Sequence, residues 1–162
     1  MSFYEEVFNT YLESFSLLYV QIGKIELTLR SVIPKALKNN PGKKKTWWFS
    51  RLEFNAENRL KIERAIHYAQ NDFDSIPKHL PLSFWTKLFT ANHYESLWLP
   101  YLYRCFPKLG NARSKRSSKE VYWLMQELVR IRNFVAHYNF STFEDLARDH
   151  EKLKRLHFLL GL

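Results

Sequence analysis

One cysteine, four glycines and six prolines are spread over 162 residues, and each scarcity removes a class of protein. With Cys105 alone, no internal disulfide can form and no zinc-finger ligand set can be assembled, which agrees with a reducing, cytoplasmic setting. No Cys-His-Asp order surrounds that thiol, so its expected role is a small buried apolar side chain. The glycines stand isolated at 23, 42, 110 and 161, which leaves no glycine loop for a dinucleotide or a nucleoside triphosphate and argues against ATP and NAD. The six histidines show no two-His-plus-carboxylate spacing on one helix, so neither a metal nor any other cofactor is expected. No apolar run is long enough to span a bilayer, and the acidic start Met1-Ser2-Phe3-Tyr4-Glu5-Glu6 is unlike a signal peptide. Acidic residues are also short, 16 against 25 Lys and Arg, and the formal charge of +9 suggests a polyanionic partner.

What is plentiful is apolar and aromatic, at 46% and 17% of residues, enough for the core of a single domain over 1–162. Scarce Gly and Pro favour helices. From Phe3 to Leu37, Val7, Tyr11, Phe15, Leu18, Ile22, Ile25, Leu29 and Ile33 recur at spacings of three and four and predict a long amphipathic helix, open to bending at Gly23 or Pro34. A basic loop follows over Lys38 to Lys45. Asn55 reads as the N-cap of a second helix from Ala56 to about Asp72, with Leu60, Ile62, Ile66 and Ala69 inward. Ser83 to Phe106 predicts two short helices parted near Ala91-Asn92, with Pro100 starting or kinking the second. Ser117-Ser118-Lys119-Glu120 and Ser141-Thr142-Phe143-Glu144 fit capping boxes that launch two further helices, the last through Leu146, Leu153, Leu156 and Leu159. The expected fold is all-α, an antiparallel bundle of four or five main helices.

The segment richest in chemistry is Arg132-Asn133-Phe134-Val135-Ala136-His137, near the end of a helix expected from about Glu120 to Tyr138. Val121, Leu124, Leu128, Ile131, Val135 and Tyr138 form one apolar stripe. At about 100° per residue, Asn133 and His137 stack on the face opposite, beside Gln126 and Arg130, while Arg132 sits on the border of the stripe. A histidine can move a proton near neutral pH, and an arginine fork can hold a phosphate and the charge that develops on it. The bland alternative, a histidine that caps its own helix or is satisfied in the core, fits less well because a core histidine should lie on the stripe.

Further cations could follow a nucleic-acid backbone. Lys43, Lys44 and Lys45 precede Trp47 and Trp48, a run that could bind phosphates and stack bases or could be a solvated loop leading into core tryptophans. Arg113, Lys115, Arg116 and Lys119 lie at the start of the motif helix, where the helix end favours anions, and Arg130 shares the face of Asn133 and His137. Trp85, Phe84, Phe89, Trp98 and Tyr101 are expected in the core.

Four ordered blocks, Leu82-Ser83-Phe84-Trp85-Thr86-Lys87-Leu88-Phe89, Tyr94-Glu95-Ser96-Leu97-Trp98, Phe106-Pro107, and Arg132-Asn133 with Ala136-His137, resemble the bacterial Abi-like (abortive infection) family of the HEPN group. Ile25-Glu26-Leu27-Thr28-Leu29-Arg30 is similar to that family's first-helix segment, and the likeness runs from about residue 15 to 145. The family often continues its motif as His-His-Glu-Pro, whereas this chain reads His137-Tyr138-Asn139-Phe140. The resemblance implies a HEPN-like bundle and a metal-independent endoribonuclease acting as a homodimer through the motif helix, as a phage-defence effector or toxin. Arg132 and His137 would then be catalytic with Asn133 beside them, and Glu26 and Arg30 would support them. From spacing alone, Glu26 and Arg30 are equally an i,i+4 ion pair. RNA is the implied partner, with an antitoxin or small non-coding RNA as a further one. The alternative is a non-cleaving RNA-binding module working with a small RNA or a partner protein; a purely protein-docking helical subunit is a third reading.

Overall fold

The structure, a computed structural model, describes residues 2–38, 49, 53–70, 72–137 and 142–162. The expectations for Lys43, Lys44, Lys45, Trp47, Trp48, Tyr138, Asn139 and Phe140 lie outside them. Helix α1 (Phe3–Lys38) runs through Gly23 and Pro34 without interruption, although Pro34 offers no N–H to the Arg30 carbonyl. Of its predicted apolar positions, Phe15, Leu18, Ile22, Ile25, Leu29 and Ile33 are buried, while Val7 and Tyr11 near the N-terminal end are half-buried.

Helix α2 (Ala56–Ala69) starts as expected, with the Asn55 side chain accepting the Asn58 N–H at 2.9 Å. It stops short of Asp72 because Gln70 takes a left-handed conformation, φ 47°. Its inward stripe is Asn58, Ile62, Ala65 and Ala69; Leu60, expected inward, is 46% exposed. Two short helices follow, α3 (Ile76–His79) and α4 (Leu82–Lys87).

Between 91 and 105 the chain forms two 3₁₀ turns, Ala91–His93 and Leu102–Cys105, around a π-helical turn, Tyr94–Trp98, in place of regular helices. Pro100 cannot donate to a continuing ladder, which limits the run. Side-chain packing holds the segment instead. Phe89, Trp98 and Phe106 meet with ring centroids 5.7 to 6.4 Å apart, and the Trp98 indole donates to the Ala112 carbonyl at 3.0 Å.

Helix α5 (Lys115–Ala136) is capped by Ser114, three residues before the expected Ser117. Ser114 accepts the Ser117 N–H at 3.1 Å, whereas the buried Ser117 hydroxyl bonds back to the carbonyls of Gly110 and Asn111. Helix α6 (Phe143–Leu159) is capped by Thr142, one residue after Ser141, with Asp145 at the reciprocal position.

The ion pairs Glu120–Arg155, Glu127–Lys152 and Asp149–Arg130 show α5 and α6 antiparallel. His150 meets Gln21 at 3.0 Å, and Leu160 shares a groove with Val32 and Ala36, so α1 runs parallel to α6 and opposite to α5. Stripes from all three long helices, with the Phe84–Phe106 aromatics, make one apolar cluster. The described residues are all-α, without strands, and none of their helices is long and apolar enough to cross a membrane.

Candidate functional site

The apolar stripe of α5 is buried as predicted: Val121, Leu124, Leu128 and Ile131 are at most 2% exposed, and Val135 is 7%. That fixes the rotation of the helix and turns Arg132, Asn133 and His137 to the outside, where all three are exposed. His137 caps the helix, its N–H donating to the Asn133 carbonyl at 3.1 Å. Phe134, half-buried in the same turn, stacks on Phe15 of α1 with centroids 5.6 Å apart and planes 21° apart. None of the Arg132, Asn133 and His137 side chains is engaged by a hydrogen bond or ion pair among the described residues. Asn133 and His137 project to one side. Arg132 and His137, five positions apart, diverge by about 140° and lie about 7.5 Å apart along the axis.

Arg130 has a different setting. It spans Glu127 at 3.1 Å and Asp149, while Lys152 reaches Glu127 and lies 3.6 Å from Asp149. Burial alone would raise the Glu127 carboxyl, but the Lys152 and Arg130 contacts outweigh it and hold the pKa below the usual carboxylate value. Arg130 also lines a cleft of about 350 Å³ with Phe134, Asp145, Arg148, Asp149 and Lys152.

Arg113, Lys115, Arg116 and Lys119 are exposed around the start of α5. Tyr103 and Tyr94 join them: Arg104 and Arg113 lie over the Tyr103 ring at 5.5 and 5.6 Å, and Lys115 over the Tyr94 ring at 5.7 Å. The Tyr103 phenol is held below its ordinary pKa by the Arg104 hydrogen bond and by the charges of Arg104 and Arg113. Sequence reasoning missed these two tyrosines: Tyr103 has Arg104 beside it in sequence, but Arg113 reaches it, and Lys115 reaches Tyr94, only through the fold. From Lys115 to His137 is 22 positions, about 33 Å along α5. The cationic and histidine ends of the helix are therefore separate places.

Glu26 and Arg30 pair at 2.7 Å, and Arg30 also donates to the Lys78 carbonyl at 2.8 Å, which ties α1 to α3. Glu26 lies eleven positions beyond Phe15, about 16 Å along α1 and away from the His137 end. Within one protomer the pair is thus not brought beside Arg132 and His137. Cys105 is buried, and loss of water pushes its thiol up to about 12. Trp85, Phe84, Phe89 and Trp98 are buried and Tyr101 is half-buried. Among the described residues no cluster of three or more His, Cys, Asp and Glu is placed to hold a metal.

No family model, curated protein or solved structure matches this chain.

Proposed function

We propose that the chain is a metal-independent endoribonuclease of the HEPN group, related to the Abi-like proteins and acting as a homodimer in phage defence or as a toxin. The observation that carries this reading is the shared exposure of Arg132, Asn133 and His137, unengaged among the described residues, on a turn that Phe134 clamps to α1. Unpaired polar groups held on a rigid turn are available to a ligand. Because Arg132 and His137 diverge on one helix, the composite site takes Arg132 from one protomer and the partner's His137 across a twofold axis.

In the reaction the ribose 2′-hydroxyl attacks the adjacent phosphorus, a P–O2′ bond forms, and the P–O5′ bond breaks. His137 takes the hydroxyl proton or supplies one to the departing 5′-oxygen, and Arg132 stabilises the charge on the phosphoryl oxygens. The products are a 2′,3′-cyclic phosphate and a 5′-hydroxyl. DNA, without the 2′-hydroxyl, is not a substrate.

Labelled single-stranded RNA incubated with pure protein and EDTA tests this. Cleavage by the wild type, cyclic-phosphate ends, no cut at a 2′-deoxy position and loss in His137→Ala are expected. An intact RNA, or cleavage that survives His137→Ala, removes the reading. The second reading, a non-cleaving RNA-binding module, draws on the cation–tyrosine surface about 33 Å from His137. Binding without wild-type cleavage would select it.

A further inference from the structure

A pocket of about 770 Å³ opens where the first turn of α2 faces the turns that follow α4. Glu53, Phe54 and Asn58 line one wall, and Lys87, Thr90, His93 and Ser96 line the other. The volume lies within the range of small-molecule sites, roughly 300–1,000 Å³. Its decisive feature is Asn58, a side chain 5% exposed whose Oδ1 makes no hydrogen bond. A buried carboxamide oxygen without a donor is rare in a folded protein, because water has been lost and nothing has replaced it.

The neighbouring polar groups do not satisfy it. The Asn55 side chain accepts the Asn58 N–H as a helix cap, and the Thr90 hydroxyl donates to the Lys87 carbonyl at 3.2 Å. Phe54, 5.6 Å from the Phe84 ring, supplies an apolar wall. Desolvation lowers the His93 pKa and favours the neutral ring, which carries both a donor and an acceptor. The lining therefore combines a planar carboxamide, a neutral imidazole, an aromatic side, one cation, Lys87, and one carboxylate, Glu53, both at exposed positions.

We propose that this pocket binds an adenine base, its amino and ring-nitrogen edge on the Asn58 carboxamide and its phosphate toward Lys87. An Asn carboxamide matches that edge in two hydrogen bonds, one given and one received. The ligand is an adenine nucleotide, free or as one residue of an RNA strand. The inference does not rest on nuclease activity, since binding alone reads it.

Calorimetric titration of the full chain with AMP, UMP, and hexamers of riboadenylate and ribouridylate tests it, with the hexamers run on His137→Ala protein. AMP is expected to bind saturably and at least tenfold more tightly than UMP. Asn58→Leu should weaken AMP at least tenfold. Ser96→Trp, a change at an exposed wall position that leaves the buried residues intact, should close the pocket and abolish binding even if Asn58→Leu proves poorly folded. Binding of the adenylate hexamer without AMP, lost in the same variants, assigns the site to an RNA base. Absence of saturable binding by AMP and the adenylate hexamer, equal affinity for UMP, or adenine binding unchanged in Ser96→Trp would overturn the assignment, whatever the nuclease assay gives.

Discussion

The seam between α5 and α6 and the last turn of α5 carry similar side chains under opposite conditions. In the seam, Glu127, Arg130, Asp149 and Lys152 satisfy one another, and Asp149 is only 5% exposed. Two residues past Arg130, the pairing among the described residues stops. Arg132, Asn133 and His137 face outward with no described partner, on a helix whose other face is fully packed. Charge in the seam is used up in holding two helices in register, and charge in the last turn is left over. A group already neutralised by its neighbours offers little to a phosphate, whereas an unpaired one on a rigid turn offers its full hydrogen-bonding capacity.

The contrast can be tested by exchanging what each region loses. The largest effect is expected at His137: His137→Ala should lower RNA cleavage by about 100-fold or more, with unfolding free energy changed by no more than about 0.5 kcal/mol. Urea denaturation beside a gel assay reads both. Asp149→Ala should do the reverse. It strips Arg130 and Lys152 of a buried acceptor and should cost about 1–3 kcal/mol of stability, with cleavage by the remaining folded protein little changed. Equal loss of cleavage in the two variants would dissolve the distinction.

Acid should loosen the seam. The folded-state pKa of Glu127 is depressed, so its pairs add stability above the ordinary carboxylate value of about 4.3 and lose it as pH falls through the folded value. His150, lowered by burial and by Lys154, acts in the same direction from about pH 6.5 downward. The melting temperature should therefore fall between pH 7 and pH 4, with a shallower slope below pH 4.5 in Glu127→Gln. The smallest effects belong to the cationic end. Lys115→Ala and Arg116→Ala should each weaken RNA binding without regard to sequence and reduce the salt slope by about one, as fluorescence anisotropy across salt concentrations can show.

Periodicity made much of this arrangement legible. Phe15 to Ile33, Val121 to Val135 and Leu146 to Leu159 all turn inward where a 3.6-residue repeat places them, and that rotation sets Asn133 and His137 outside. Local capping rules were right at Asn55 and slipped in register at the starts of α5 and α6; at α5, Ser117 is drawn into the preceding turn by two carbonyls that no local pattern reveals. The stretch from Ala91 to Cys105 defeated regular patterns, since its aromatic contacts and Pro100 outweigh helical hydrogen bonding. Contacts between distant segments were unreadable in one sequence. Arg130 shares a helix face with Asn133 and His137, and only the fold brings Asp149 to it from α6; Asn58, which no sequence pattern marks, lines a pocket because α4 and its following turns pack opposite.

Phe134 carries no charge and no side-chain hydrogen-bonding group, yet it decides how still the site is. A helix end normally frays, and Asn133 and His137 share a turn closed by one backbone bond of 3.1 Å. With the ring stacked on Phe15, the terminal turn is pinned to a neighbouring helix. Remove the ring, and the imidazole would sample many positions while the bundle stayed assembled, so turnover would decay long before melting did.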